Sequence, residues 1–420
     1  MVAQLSAKSE VGGVEVIEKL MPRWQQLCEQ ARSAPFQRPE WVAAYVRAFE
    51  PNREVVLLTA EAEDRLVAVL PLVRRKCFYA GLPLIKLAGA ANVHSVSFDI
   101  VAPKGELGEA AIPAMWNLLR RTPGWHMLEL PLISEAGATA KLLRLAAGDG
   151  HHTVTLLAQR SPVIRFHVNG DGGPAQIVDG PSRHFRHELR RYARIFTEQL
   201  GEAPQVLRCA EPKPELLRQF FELEEAGWKG KKGSAINSTS ETRAFYQQIA
   251  RGTANSGQFC LHTLTARNII VAGAFSLSTN EGFFPLKIAH DESLRRMGPG
   301  HLLFEAIVKE CAEQRIPKLF FGGTDEHYKS LWTKETVPSF TGFVFSKDVR
   351  SNLAYQIRNC VLSPLGRLRV RVRQQVRAES HGSKASAPRR RNSKPAPLTT
   401  CSSALPSSSD SETLVTGRIL

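Results

Sequence analysis

At 420 residues with 43% hydrophobic content, the chain has material for two or three domain cores, and its apolar runs are too short and too often broken by charge for a transmembrane helix. The formal charge of +15 is concentrated: 14 Lys/Arg face 4 Asp/Glu from Lys347 onward, against 41 and 36 before it, so the folded part is only mildly basic and no specific nucleic-acid partner is expected. Seven scattered cysteines with no CxxC pair exclude a disulfide framework and a zinc site, and fit a reducing cytoplasm.

Residues 1–20 lack an apolar h-region, so a signal peptide is not expected. FQRPEWVAAYVRAF (36–49) reads as a short helix, and VVLLTAEAEDRLVAVLPLVRR (55–75) as strand, polar turn and strand. Helical AAIPAMWNLLRR and the strand WHMLELPL follow within 110–132. The same order returns later. TRAFYQQIARG (242–252) is helical, FCLHTLTARNIIVAGAFSLST (259–279) is again strand, turn and strand, and HLLFEAIVKECAEQ then KLFFGGT (301–324) repeats helix and strand. This recurrence predicts an internal duplication of an α/β (α+β, mixed-sheet) unit. The expected domains are 1–165, 166–346 and a basic segment 347–420 with a helix and then disorder from about residue 380. That segment is either a solvated tail or a weak contact with an anionic membrane surface, which would place a cytoplasmic protein peripherally at the inner membrane.

Between the halves, SRHFRHELRRYARIFTEQLG (182–201) predicts a helix with Phe185, Leu189, Tyr192, Phe196 and Leu200 on one face and Arg183, Arg186, Arg190 and Arg194 on another. The basic face is either solvated or a surface for an anionic acceptor. In LRRMGPGHLLFEAI (294–307) the residues Arg295, Arg296, Gly298, Pro299, Gly300 and His301 precede a helix whose stripe is Leu303, Ile307 and Cys311. Glycine lets a ligand approach the backbone, and a helix start offers free N–H groups, so this is a candidate anion site with Gly298, Gly300, His301 and Leu302 as donors. The first half has PKGELGE (103–109) at the matching place, where Glu106 and Glu109 would satisfy the helix dipole themselves. No Gly-Lys-Ser/Thr and no Gly-x-Gly-x-x-Gly occurs there, which excludes the P-loop and the dinucleotide fingerprint.

The order of hairpin strands, a further strand FFPLKIAHDE (283–292), Arg-x-x-Gly-x-Gly, helix and strand resembles the Gcn5-related N-acetyltransferase (GNAT) superfamily. ELEEAGWKGKKGSAI (222–236), FFPLKIAHDESLRRMGPGHLLFEAI (283–307) and FFGGTDEHYKSLWTK (320–334) are similar to the tandem-GNAT acetyltransferases of bacterial cellulose and exopolysaccharide biosynthesis, relatives of the Fem-type transferases. The resemblance covers roughly residues 20–346. It implies acetyl-CoA or another acyl-CoA as co-substrate, no metal, and transfer to an amino or hydroxyl group of a small-molecule or glycan acceptor. The alternatives are a Fem-like transferase using aminoacyl-tRNA and a non-catalytic accessory protein of polysaccharide biosynthesis. By analogy an N–H within 288–291 would polarise the acyl carbonyl. Tyr328 is either a neighbour of the leaving thiolate or a half-buried core cap. Glu224, Glu225, Asp291 and Asp325 are candidate bases, with Asp325 equally suited to a helix N-cap. Glu224 and Glu225 lie on a helix whose expected apolar stripe is Leu216, Phe220, Leu223 and Gly227, so at least one of the two carboxylates is expected to face solvent. Lys229, Lys287 and Lys329 are candidates for binding substrate, and Trp228 and Trp332 either line an acceptor groove or lie in the core.

Overall fold

The computed structural model of the protein describes residues 5–167, 173–324 and 326–362. The first half forms β1 (Leu5–Gly12), α1 (Glu15–Ala31), α2 (Pro39–Phe49), β2 (Val55–Ala62), β3 (Arg65–Tyr79), β4 (Leu82–Gly89), α3 (Glu106–Arg121), β5 (Met127–Ile133), α4 (Ala138–Gly148) and β6 (His152–His167). A short β7 (Gln176–Val178) and α5 (Arg183–Leu200) lead into the second half. There follow β8 (Gln205–Cys209), α6 (Pro214–Ala226), α7 (Trp228–Lys231), α8 (Ser240–Ala254), β9 (Phe259–Ala266), β10 (Ile269–Thr279), β11 (Gly282–His290), α9 (Pro299–Glu313), β12 (Lys318–Phe320), α10 (His327–Ser330) and β13 (Thr336–Phe345). These lie in one compact unit, made of the described residues up to Lys76 and from Ile85 to Lys347. The second unit contains the tip of the β3–β4 hairpin and α11 (Val349–Ile357). The expected disordered tail lies outside the described residues.

The strands join in the order β1-β2-β3-β4-β5-β13-β6-β12-β11-β10-β9-β8, with β7 beside β6. Exchanging each of β1–β6 with its counterpart in β8–β13 reverses this order and changes nothing else, so the mixed sheet has a two-fold pseudo-symmetry. Pairing sense agrees: β4–β5 and β11–β12 are parallel, while β1–β2 matches β8–β9 and β5–β13 matches β12–β6 as antiparallel pairs. The turns agree too. Glu63 and Asp64 close β2–β3 with φ of 49° and 60°, and Arg267 and Asn268 close β9–β10 with φ of 50° and 63°. Two successive positive φ values give the tight turn whose twist matches its strands. Each half gives its last strand to the other half. β13 sits between β5 and β6, and β6 sits between β13 and β12. The expected boundary at residue 165 therefore falls inside β6.

Strand alternation splits the apolar side chains between layers. Val55 and Leu57 enter a core shared by both halves, where α1, α2, α6 and α8 bring Trp24, Trp41, Phe220 and Phe245. Val56 and Leu58 face α3 and α4 with Met115, Trp116 and Leu142. The second half builds its own outer core from α5 and α9, with Phe185, Leu189, Phe196, Leu303, Ile307 and Cys311, the stripes expected from the sequence. At the centre Trp41 of α2 meets Phe245 of α8 edge to face at 5.0 Å.

Because the halves share strands and a core, neither can unfold alone without exposing a sheet edge. Urea unfolding followed by tryptophan fluorescence and by far-UV circular dichroism is expected to give coincident single transitions. Two separated transitions would contradict the exchanged-strand arrangement.

Candidate active site

The two copies differ where β4 and β5, or β11 and β12, should part. In the first copy the gap beyond the Ala88–Glu129 pair is filled. Phe98 is 2% exposed, and its ring lies where a Cβ on Gly89 would come within 2.8 Å of it. In the second copy β11 pairs with β12 only at Phe283–Leu319 and then runs on to His290. Pro285 to Lys287 contain a bulge, with Leu286 as the extra residue opposite Phe275 and Ser276. Beyond it the Asp291 N–H donates to the Val271 carbonyl at 2.8 Å. By alternation Ala289 and Lys287 face β10, while Ile288 and His290 turn their amides to the open edge. The Ile288 carbonyl there accepts the Lys229 Nζ at 2.8 Å.

The first copy walls this wedge. Residues 92–96 form a self-bonded loop in which the His94 N–H donates to Asn92 Oδ1 (3.0 Å), while Ser95 Oγ accepts the Trp41 indole N–H (3.3 Å). Val96 lies 3.1 Å from where a Cβ on Gly322 would stand, just beyond β12. His94 Nδ1 lies 3.3 Å from the Tyr246 hydroxyl on α8, and Lys287 Nζ is 5.6 Å from the centre of the Tyr246 ring. Burial, with the nearby Lys287 charge, pulls the His94 imidazole down to about 4. Burial pushes the Tyr246 phenol above the usual tyrosine range, with the Glu224 charge adding to it. His94 and Tyr246 escaped the sequence reading because they lie in different copies and carry no motif.

The expected residues fall into three groups. Glu224, Lys229 and Lys287 come together. The apolar face of α6 is turned by one position from the expected stripe, with Leu217, Phe220 and Phe221 buried, so Glu224 points inward at 1% exposure. Its carboxylate accepts Lys229 Nζ (3.0 Å) and the Ile236 N–H (2.8 Å), with Lys287 Nζ at 3.6 Å. A carboxylate engaged in this way is a counter-ion and not a free base. Trp228 is 47% exposed on α7, with Lys232 and Lys229 Nζ at 5.2 and 5.9 Å from its ring centre, a cation-flanked platform.

Two expected binders take other places. Lys329 is 5% exposed and donates to the carbonyls of Gly322 (2.9 Å) and Thr324 (3.0 Å), so it clamps the turn after β12 instead of meeting substrate phosphate. Trp332 is 2% exposed against Phe185 and Phe304, which removes it from any groove. Tyr328 stands on α10 with 41% of its surface exposed. Asp325 lies outside the described residues.

The Arg-x-x-Gly-x-Gly segment forms a helix start with fewer donors than expected. Gly298 has φ 58°, and its own N–H bonds to the Arg295 carbonyl (3.1 Å). The amides of His301 (2.9 Å) and Leu302 (3.0 Å) both bond to the Gly298 carbonyl. Tyr192 of α5 covers Gly298, with its ring 2.7 Å from where a Cβ would project, and lies parallel to His301 at 5.9 Å. That leaves Gly300, beside His290, as the helix-start amide outside these bonds, with Arg295 and Arg296 exposed. No group of three or more His, Cys, Asp or Glu that could hold a metal ion occurs among the described residues. No helix among them is long and apolar enough to cross a membrane.

Residues 183–330 match the model of the acetyltransferase (GNAT) domain. Among solved structures, FemX shares 13% identity over 79% of this chain and 97% of its own, with a TM-score of 0.53. A tandem GNAT protein from the clavulanic acid biosynthesis pathway shares 11% over 82% and 99%, with a TM-score of 0.41. A conserved protein of unknown function from Bacteroides thetaiotaomicron shares 9% over 80% and 99%, with a TM-score of 0.45. No curated protein matches the chain in sequence. Residues 183–330 thus match the GNAT acetyltransferase domain model, and the chain shares its mixed α/β fold with FemX.

The low His94 value sets a pH dependence. Between about 4 and the ordinary histidine value of roughly 6.5 the unfolded chain binds a proton that the folded chain refuses, so stability rises with pH through that window and falls as pH drops toward 4. His94→Gln is expected to flatten the change in urea midpoint between pH 5.5 and 7.5. An unchanged slope would show that His94 titrates freely in the fold.

Proposed function

We propose that the protein is an acyl-CoA-dependent acyltransferase whose reaction takes place in the second-copy wedge, with an amino or hydroxyl group of a polysaccharide precursor or related cell-surface metabolite as acceptor. The observation that carries this reading is the contrast between the copies: one wedge is plugged by Phe98, and the other is open along β11 from Pro285 to His290. An open strand edge suits an extended ligand arm, and in this reading the Ile288 N–H polarises the thioester carbonyl. The acceptor nitrogen or oxygen attacks that carbonyl carbon, the carbon–sulfur bond breaks, and the acceptor's proton ends on the thiolate or in water. The GNAT domain match over 183–330 supports the donor class. The Gly300 amide, with Arg295 and Arg296, is the anion-binding side of the reading.

Gly300→Val tests it. A Cβ there already lies 3.2 Å from His290 Nδ1, so a branched side chain occupies the approach to the amide. Acetyl-CoA binding, measured by titration calorimetry, is expected to weaken at least about tenfold, the scale of one lost charge-assisted hydrogen bond. Phe98→Ala should lower the melting temperature through a core cavity and leave that affinity unchanged. Equal affinity for acetyl-CoA in Gly300→Val and the parent would remove the loop from donor binding. Binding of bulk tRNA without acetyl-CoA would favour a Fem-like donor.

A further inference from the structure

The Glu224 cluster does not balance its charge. Lys229 and Lys287 bring two ammonium groups to one carboxylate, with side chains 18%, 11% and 0% exposed respectively. The remaining polar partners are neutral: the carbonyls of Ile288 and Ser234, the Ile236 N–H, and, nearby, the Tyr246 ring. The nearby imidazoles add no charge of their own near neutral pH: burial pulls His94 down to about 4 and His290 below the ordinary histidine value. The nearest other carboxylates are committed elsewhere, with Glu292 accepting from the Trp228 N–H and Lys231, and Glu225 accepting from Asn237. With both lysines protonated, one unit of positive charge is therefore left in a mostly buried place; burial accordingly pulls Lys287 below the usual lysine range, and the charge is costly unless an anion answers it. Lys287 Nζ spends one bond on Ser234 (2.9 Å) and stands too far from Glu224, at 3.6 Å, for a good second.

We infer that Lys287 and Lys229, with Glu224 as their fixed counter-ion, form a binding site for one oxyanion, a carboxylate or phosphate carried by the acceptor. The site adjoins the open β11 edge through the Lys229–Ile288 bond, so an acceptor anchored there brings a neighbouring amino or hydroxyl group to the wedge. This rests on the proposed acyl transfer for the acceptor's role, though not for the anion itself.

The test uses sodium phosphate and sodium acetate as probes, each against sodium chloride of equal ionic strength, with the melting temperature of the full chain as readout. Lys287→Met removes the unbalanced charge, so its melting temperature in chloride should equal or exceed the parent's. Glu224→Gln leaves both charges unanswered and should melt lower. Phosphate or acetate should raise the parent by roughly 2 °C or more beyond chloride and should raise Glu224→Gln further, while Lys287→Met loses that increment. An equal increment in Lys287→Met would mean a general salt effect, and a Lys287→Met protein that melts as low as Glu224→Gln would mean a balanced cluster; either overturns the inference. Acetyl-CoA binding without any phosphate or acetate increment would sink the oxyanion site and leave the acyl-transfer reading standing. The increment without acetyl-CoA binding would do the reverse.

Discussion

The structure depends on one exchange of strands. β6 of the first copy lies against β12 of the second, β13 of the second lies against β5 of the first, and the two exchanged strands pair with each other from His152–Phe345 to Pro162–Thr336. Without the exchange β5 and β12 would each end as an open edge, with a row of unsatisfied amides and carbonyls. With it, two modest sheets become one, and α2 of one copy is held against α8 of the other. The same constraint brings the 92–96 loop of the first copy to the wedge of the second, so the first copy matters to the site even though its own wedge is closed.

The two copies share topology and differ at the places that decide which wedge is open. Phe98 puts an aromatic ring where a ligand arm would enter. Glu106 and Glu109 place carboxylates in the first turn of α3, while the first turn of α9 has none. In the second copy β11 outruns its partner and carries a bulge, and α5, which has no counterpart in the first half, lies over the start of α9. The closed half thus contributes the wall at residues 92–96 and the shared core.

What was legible in the sequence is what depends on neighbours along the chain. The hairpins at 55–79 and 259–279 follow from alternation and a polar turn, and the Leu303, Ile307 and Cys311 stripe from helical spacing. The loop at 295–300 was legible as a helix start, but its donor count was not, because the Gly298 carbonyl takes two of the amides and Tyr192 arrives from a helix about a hundred residues earlier. The inward turn of Glu224 was not legible, since Leu216 and Leu223 suggested one face of α6 and Leu217 and Phe221 formed another. Lys329 and Trp332 read as polar and aromatic candidates because burial is a tertiary property. His94 had no local signal at all: its environment is made by Tyr246 and Lys287 in the other copy.

If the proposed acyl transfer holds, ligand chemistry belongs to the second-copy wedge alone. Amide hydrogen exchange with and without saturating acetyl-CoA tests it most directly, because it reads both wedges of one molecule at once. Added protection is expected at 286–290 and 300–302, with none at 86–89 or 106–109. Protection in the first copy, or none in the second under conditions where acetyl-CoA binds, would contradict it.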